Sequence, residues 1–494
     1  MKSNATLKDT AILIIAFIVS VGIRLPNFNR PLSKHHEFVN ACTLNGLISW
    51  QEGGGASKFN YVPLMTYQGP SNTLLVHGKH TDSLGNEYYM SVGAAWYIFA
   101  NAFFQLFHAF PTPLGLIYIN LFFNVFTLFS LYIFFRFIRS IYTLLPRQFP
   151  LWGCIVFLFM PGPLWYFGNL YVQSALVVPF AIFLIILFLK YCLAQQTNNY
   201  GLTALFFISG ITTIYIDWFG FFLLAVFAVY CLVQFFLSKK YFWLKKMIIC
   251  CLTAIIGVAI VFYHFSNFLG WQHVVAYWHN RAADRSFNAE DESMLKNFLR
   301  FISNFLGCVG VAAICAFVAI YYFTKKKNNA FPILPCLLWG IACVAYNAVF
   351  FNWSFNHEFS MMPVSVLITI LTTYFLLQLT PNKNALIFLC VLLGLNIVQY
   401  YYINRPGKIS RSGIPYNTEE LLGEQIKKEV PLDARIFVNE RCGPIVEYYA
   451  HRSFIFEGAF TFERAKKICD SLNVPKAVWL SIEPDHIKEI RVLK

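Results

Sequence analysis

Where the first apolar run of the chain ends, the sequence reads Lys34-His35-His36-Glu37-Phe38. A carboxylate just past a membrane segment can take a proton from an incoming hydroxyl. Partial burial raises its pKa toward the working range. Glu37 is therefore a candidate general base, with His36 to orient or shield it. The plainer reading is a solvated interfacial Glu paired with Lys34 or His36. Asp217 is a second acid of this kind, set in Ile216-Asp217-Trp218 between two apolar runs with no spacer. Such a residue sits at the interface or in a lined cavity, or it caps a tight helix turn.

Cations gather at comparable places. Residues 267–299 hold His273, Tyr277, Trp278, His279, Arg281, Asp284 and Arg285. An Arg pair beside aromatic rings suits phosphate recognition; an amphipathic surface helix is the alternative. Residues 352–360 carry Trp353, Phe355, His357 and Glu358. There His357 can donate to a phosphate while the rings bracket a lipid tail or a sugar. An aromatic belt with Glu358 as a helix cap is equally compatible. Lys58 and Lys79 add cations in the first long polar loop. Neither His35-His36-Glu37 nor His357-Glu358 matches HExxH, and no other strict ligand spacing occurs. No metal and no cofactor are expected.

The elements that must position these residues are membrane helices. Of 494 residues 57% are hydrophobic, 18% aromatic and 13% charged, about half the charge of a soluble domain. Lipid must solvate most of such a surface. Runs of spanning length lie near 10–28, 113–135, 150–168, 171–189, 201–217, 219–237, 247–266, 300–323, 331–351, 361–380 and 385–402. The first lacks a small-residue cleavage site and reads as an uncleaved span. The segment 88–110 is also apolar, but it holds Asn101, Gln105 and His108. Counting it as a span would break the charge parity of the later loops, so it is expected to lie on the outer face. With that choice one side carries fourteen basic residues against the single acid Asp9, which makes that side cytoplasmic. The outer side receives 29–112, 267–299, 352–360 and the tail from 403.

The tail alternates helix-like and strand-like pieces at 418–429, 435–438, 444–451, 454–456, 461–472 and 477–482. Cys442 and Cys469 within it could pair in an oxidising compartment. The expected architecture is thus an all-α polytopic membrane protein of about eleven helices with a small C-terminal α/β domain outside the membrane. The division expected is 1–402, including the outer loop 29–112, and 403–494. The net charge of +14 is scattered in short clusters between spans, which argues for orientation signals and against nucleic-acid binding.

This layout resembles the GT-C superfamily of membrane glycosyltransferases. The nearest in pattern are the dolichyl-phosphate-mannose protein mannosyltransferases and the bacterial lipid A aminoarabinose transferases. The shared features are a first span, a large outer loop opening on an acidic motif (His36-Glu37), an outer helix at 88–110, a many-span body and an outer C-terminal domain. The sequence departs from many relatives in two places. Met90-Ser91-Val92-Gly93-Ala94 stands where they have a Pro-rich motif, and Pro163 to Gln173 contains no acid. The resemblance implies a polyprenyl-phosphate-linked sugar as donor, with its tail among membrane lipids and helices. It also implies an acceptor hydroxyl on a glycan, lipid or protein, and inversion with Glu37 as base. Arg281, Arg285, His357, Lys58 and Lys79 would then face the donor phosphate, and Asp217 is the reserve acid. A secondary transporter or a non-catalytic lipid-carrier binder are the alternatives. The absence of eukaryotic targeting signals leans toward a bacterial inner membrane.

Overall fold

The apolar runs fold as helices because a bilayer leaves backbone N–H and C=O groups no other partners. A computed structural model describes residues 2–32, 35–66, 86–193, 200–286, 294–326, 331–378, 382–405, 415–440, 442–452, 454, 461–471, 476–483 and 486–493. Among them seven helices are long and apolar enough to cross a membrane: Leu7–Asn27, Pro113–Ile141, Gln173–Leu193, Phe219–Ser238, Tyr241–Leu269, Glu358–Gln378 and Asn384–Ile403. The pair Met294–Val309 and Ala312–Phe323, bent by 97°, makes an eighth if it is one span. Phe149–Leu158, Tyr200–Ile216 and Ile333–Val349 are shorter apolar helices. Each of the eleven runs expected from the sequence falls on one of these elements. The chain is a polytopic, multi-pass membrane protein.

Two of the expected spans are interrupted. The run 150–168 ends its helix at Leu158 and restarts as Pro161–Tyr166, because Pro161 offers no N–H to continue the ladder. The run 300–323 breaks at Gly310, whose φ is +64°. A Cβ there would also lie 2.4 Å from Asn396 Oδ1. Side chains bond to the backbone at and beside this break. Asn396 Oδ1 accepts from the Val311 N–H at 3.1 Å, Gln399 Nε2 donates to the Leu306 carbonyl at 2.8 Å, and Thr372 Oγ1 donates to the Ala312 carbonyl at 3.0 Å. Within 88–110 only Ala95–Leu106 is helical. Its twelve residues span about 18 Å, well short of the roughly 30 Å hydrocarbon core.

The chain divides into two compact units. The first comprises residues 1–25, 120–263 and 279–403 and contains the helical body. Arg24 is fully buried there. It donates to the Phe167 carbonyl and, with the Asn124 amide turned to accept, to the Asn124 side-chain oxygen at 2.8 and 2.9 Å.

The second unit joins residues 26–119 and 264–278 to the tail from 404. In its loop portion strand β1 (Leu64–Thr66) pairs antiparallel with β2 (Glu87–Tyr88). In the tail β3 (Arg435–Val438), β4 (Ala477–Glu483) and β5 (His486–Val492) form one mixed sheet in that order, β3–β4 parallel and β4–β5 antiparallel. Side chains alternate across it. Ile436, Val438, Val478 and Leu480 pack with Leu422 and Ile426 of helix Thr418–Glu429 and Val446 of helix Pro444–Ala450. Phe437 and Trp479 pack on the other face with Ala465 and Cys469 of helix Phe462–Ser471. Cys442 packs with the first of these clusters and Cys469 lies in the second, and both are free thiols.

Candidate functional site

Glu37 stands immediately before helix Phe38–Glu52, where a carboxylate is favoured by the exposed N–H groups and the helix dipole. His36, at φ +59°, turns the chain so that the helix can start. The Glu37 side chain is buried, and its Oε2 accepts from Arg30 Nη2 at 3.0 Å, with the two side chains only 4% and 3% exposed. Arg30 is itself held from three directions. Its Nη1 donates to Asn27 Oδ1 at 3.4 Å, its guanidinium lies 4.2 Å from the centre of the Tyr416 ring, and Glu37 takes the remaining edge. Further bonds fix the loop within its unit: the Leu32 N–H donates to Tyr449 Oη at 3.0 Å, and Asn45 Nδ2 donates to the Pro444 carbonyl at 3.0 Å.

Burial holds His35 down at about 3, aided by His36 and Arg30, and burial alone holds His36 at about 4. Both imidazoles are neutral near pH 7, so the cation on Glu37 is Arg30 rather than His36. Lys34, the other partner considered, lies outside the described residues, as does Lys79. Lys58 is described and exposed, in the 3₁₀ turn Ala56–Phe59.

The second cluster belongs to the helical body. Asp217 lies in the two-residue connection between helices Tyr200–Ile216 and Phe219–Ser238. The connection is that tight because Gly220 follows: a Cβ there would lie 2.7 Å from the backbone of Thr213 and Ile214. Asp217 is 1% exposed. Its Oδ1 accepts from the Phe219 N–H at 2.8 Å and its Oδ2 from Ser174 Oγ at 3.4 Å. The Tyr346 hydroxyl also reaches it. Burial raises its pKa from 3.8 to about 6, against the pull of the Phe219 N–H, Tyr346, Arg285 and Ser174. One oxygen thus receives the first N–H of helix Phe219–Ser238 and the other joins a buried polar group with Ser174.

Arg285, the last residue of helix Trp271–Arg285, supplies the charge facing Asp217. It is buried, with its guanidinium 4.3 Å from the centre of the Trp353 ring. Trp353 in turn packs against His357 (ring centroids 4.0 Å) and Phe359 (5.4 Å). Asn352 Nδ2 donates to the Asp284 carbonyl at 2.6 Å and ties this turn to the end of the Arg285 helix. Asp217, Arg285 and His357 therefore belong to one cluster. Arg281 differs: its side chain is about one-third exposed and paired with Asp284 at 3.7 Å. Glu358, which follows His357 in the chain, has its carboxyl against Gly307 and beside Tyr166.

Sequence reading missed Arg30 as the partner of Glu37 and missed Ser174 and Tyr346. A lone Tyr inside an apolar run was the only signal for the last. Among the described residues no group of three or more His, Cys, Asp or Glu could hold a metal ion.

No protein-family model matches the sequence, and no curated protein matches it. Solved structures do resemble it. The archaeal oligosaccharyltransferase AglB from Archaeoglobus fulgidus, solved with an inhibitory peptide and a dolichol-phosphate, superposes with a TM-score of 0.60 at 13% identity, over 96% of this chain and 70% of that one. ArnT from Cupriavidus metallidurans, bound to undecaprenyl phosphate, gives 0.59 at 12% identity, over 97% of this chain and 93% of that one. At such identity the likeness is one of fold, and it is the fold expected from the layout of spans and loops.

Proposed function

From the fold that this chain shares with GT-C membrane glycosyltransferases, we propose that it transfers a sugar from a polyprenyl-phosphate donor to an acceptor hydroxyl on the non-cytoplasmic face. The observation that carries this reading is Arg285, a buried guanidinium held on the face of Trp353 with His357 behind it. A fixed guanidinium beside aromatic rings fits a phosphate that carries an apolar tail on one side and a sugar on the other. In the reaction the acceptor oxygen attacks the anomeric carbon with inversion. The bond from that carbon to the phosphate oxygen breaks, and the polyprenyl phosphate leaves. Arg285 and His357 bind the leaving phosphate, and Arg281 adds charge at the rim.

Glu37 is the proposed base. Its Oε2 is held by Arg30 Nη2 at 3.0 Å, which fixes the side chain in place. An acceptor hydroxyl that binds at Oε2 has to displace the Arg30 guanidinium. Asp217 is the second reading, favoured by a pKa of about 6, closer to a working pH. Reconstituted transfer with labelled polyprenyl-phosphate sugars separates them. If Glu37 is the base, Glu37→Gln loses roughly 10²–10⁴ in rate at saturating donor, while Asp217→Asn loses less. Wild-type turnover by a well-folded Glu37→Gln protein refutes the assignment, and no transfer from any such donor by the wild type refutes the function.

The orientation proposed puts the loop 29–112 and the tail from 403 on the non-cytoplasmic face of an inner membrane, on the strength of the fourteen basic residues clustered with the opposite ends of the spans. A Glu420→Cys protein should react with an impermeant maleimide from outside. Reaction only from the cytoplasmic side reverses the topology.

A further inference from the structure

A cleft of about 600 Å³ lies where the last turn of helix Phe38–Glu52 meets the end of helix Ala95–Leu106, within the second unit. Gln51, Phe104, Gln105, His108, Ala109 and Phe110 line it. The turn that stops the second helix shapes it. The Ala109 N–H donates to the Phe104 carbonyl at 2.9 Å and the His108 N–H to the Gln105 carbonyl at 3.1 Å, with His108 at φ +48°. A helix stop with this pair of bonds usually places glycine at the left-handed position. A histidine is strained where a glycine would not be, and strain of this kind gathers at functional sites. What the histidine adds is an imidazole in the wall of the cleft.

The chemistry of the lining narrows the occupant. Gln51, Gln105 and His108 are exposed, and among the described residues their side chains have no hydrogen-bond partner. Two amides and an imidazole offer donors and acceptors together. The Phe110 ring is 52% exposed. It is backed by His451 of the tail, whose ring lies nearly parallel to it, at 14°, with centroids 6.4 Å apart. Among the described residues no Lys, Arg, Asp or Glu lines the cleft, so a phosphate would find no cation there. An acyl chain would leave three polar groups without partners. A neutral saccharide matches the lining: its hydroxyls pair with the amides and the imidazole, and its C–H face rests on a phenyl ring. The volume is that of a small-ligand site. Pro113 begins a span three residues after Phe110, so the cleft lies at the membrane surface.

We propose that this cleft binds a neutral saccharide and is where the acceptor docks, which makes the acceptor a glycan. The docking role rests on the transfer reading given above; the saccharide site does not. Phe110 supplies the stacking face, Gln51 and Gln105 take neighbouring hydroxyls, and His108 takes a third.

Binding is measured without turnover, on the full chain purified in a polyoxyethylene ether detergent, because maltoside headgroups would compete. Maltotriose, mannotriose and chitotriose are titrated by calorimetry, with contacts read by saturation-transfer NMR. At least one should bind with a Kd of roughly 1 mM, the strength that an open cleft with few buried contacts gives. Phe110→Ala should weaken it at least about tenfold, and Gln105→Ala about fivefold. His108→Gly relaxes the turn, so the thermal midpoint should hold while affinity falls about fivefold. In transfer, Phe110→Ala should raise KM for a glycan acceptor more than it lowers kcat; an unmoved KM overturns the docking role. The saccharide site is overturned if no trisaccharide binds at about 10 mM, if Phe110→Ala and His108→Gly bind as the wild type does, or if trigalacturonate binds more tightly than every neutral probe. A wild type that transfers no sugar removes the transfer reading and leaves the binding result intact.

Discussion

Arg30→Met tests how much of the loop before helix Phe38–Glu52 depends on one ion pair. Both side chains are at most 4% exposed and their charged atoms are 3.0 Å apart. Removing the cation leaves the Glu37 carboxylate buried without a counter-charge, which costs about 3–5 kcal/mol. It also strips Tyr416 of its guanidinium and Asn27 of a donor. Glu37→Gln is milder. An amide oxygen still accepts from Arg30, so the loss is that of one charge-assisted bond, about 1.5–3 kcal/mol. The double variant buries no unpaired charge, so its cost should fall short of the summed singles by roughly 2–3 kcal/mol, far outside the additivity of independent sites. The assay is denaturant unfolding of the whole chain in detergent micelles, followed by tryptophan fluorescence. Additive single effects would show that the pair is screened by water and that Glu37 is not held as described. The same data qualify the transfer experiment: lost turnover in Glu37→Gln bears on catalysis only at temperatures where that variant remains folded.

Asp217 gives the chain a pH signature. Its carboxyl is raised from 3.8 to about 6, so between these values the folded state holds a proton that the unfolded state has released. Stability on this account falls as pH climbs from about 4 to about 6 and is flat above, by about 3 kcal/mol in all. Asp217→Asn should remove the slope in unfolding measured across that range; an unchanged slope assigns it elsewhere. On the phosphate site proposed above, Arg285→Ala should weaken donor binding at least about tenfold, whereas Arg281→Ala, about one-third exposed and paired with Asp284, should change it little. Titration of both variants with a labelled donor decides this, and equal affinities would remove Arg285 from the phosphate site.

The helical body was legible because lipid imposes it: each expected span is a run of apolar residues long enough to need internal hydrogen bonding. The tail was legible piece by piece, since 418–429 and 435–438 coincide with a helix and a strand. Strand β5 escaped because His486–Val492 alternates its few apolar residues with charges and buries little beyond Ile487. The candidate site was only half legible. Glu37 and Asp217 stood out as acids just past or between apolar runs, and Arg285 and His357 as cations beside aromatic residues in polar stretches. Their partners did not. Tyr416 reaches Arg30 from almost four hundred residues away in sequence, and Trp353 reaches Arg285 from another helix altogether. Spacing carries no trace of such contacts, because they are set by how the elements pack.

The bend at Gly310 has a consequence for biogenesis. A ribosome delivers residues 294–326 to the membrane before it has made Asn396, whose side chain accepts from the Val311 N–H at that bend. Until helix Asn382–Ile403 arrives, lipid offers that N–H no acceptor. The early segment must therefore wait as a straighter helix, or in the shelter of the translocation machinery, and take its final shape after the last helix is synthesised. Shortening the chain before residue 396 should leave an inserted but unfinished body, even though each earlier span is intact.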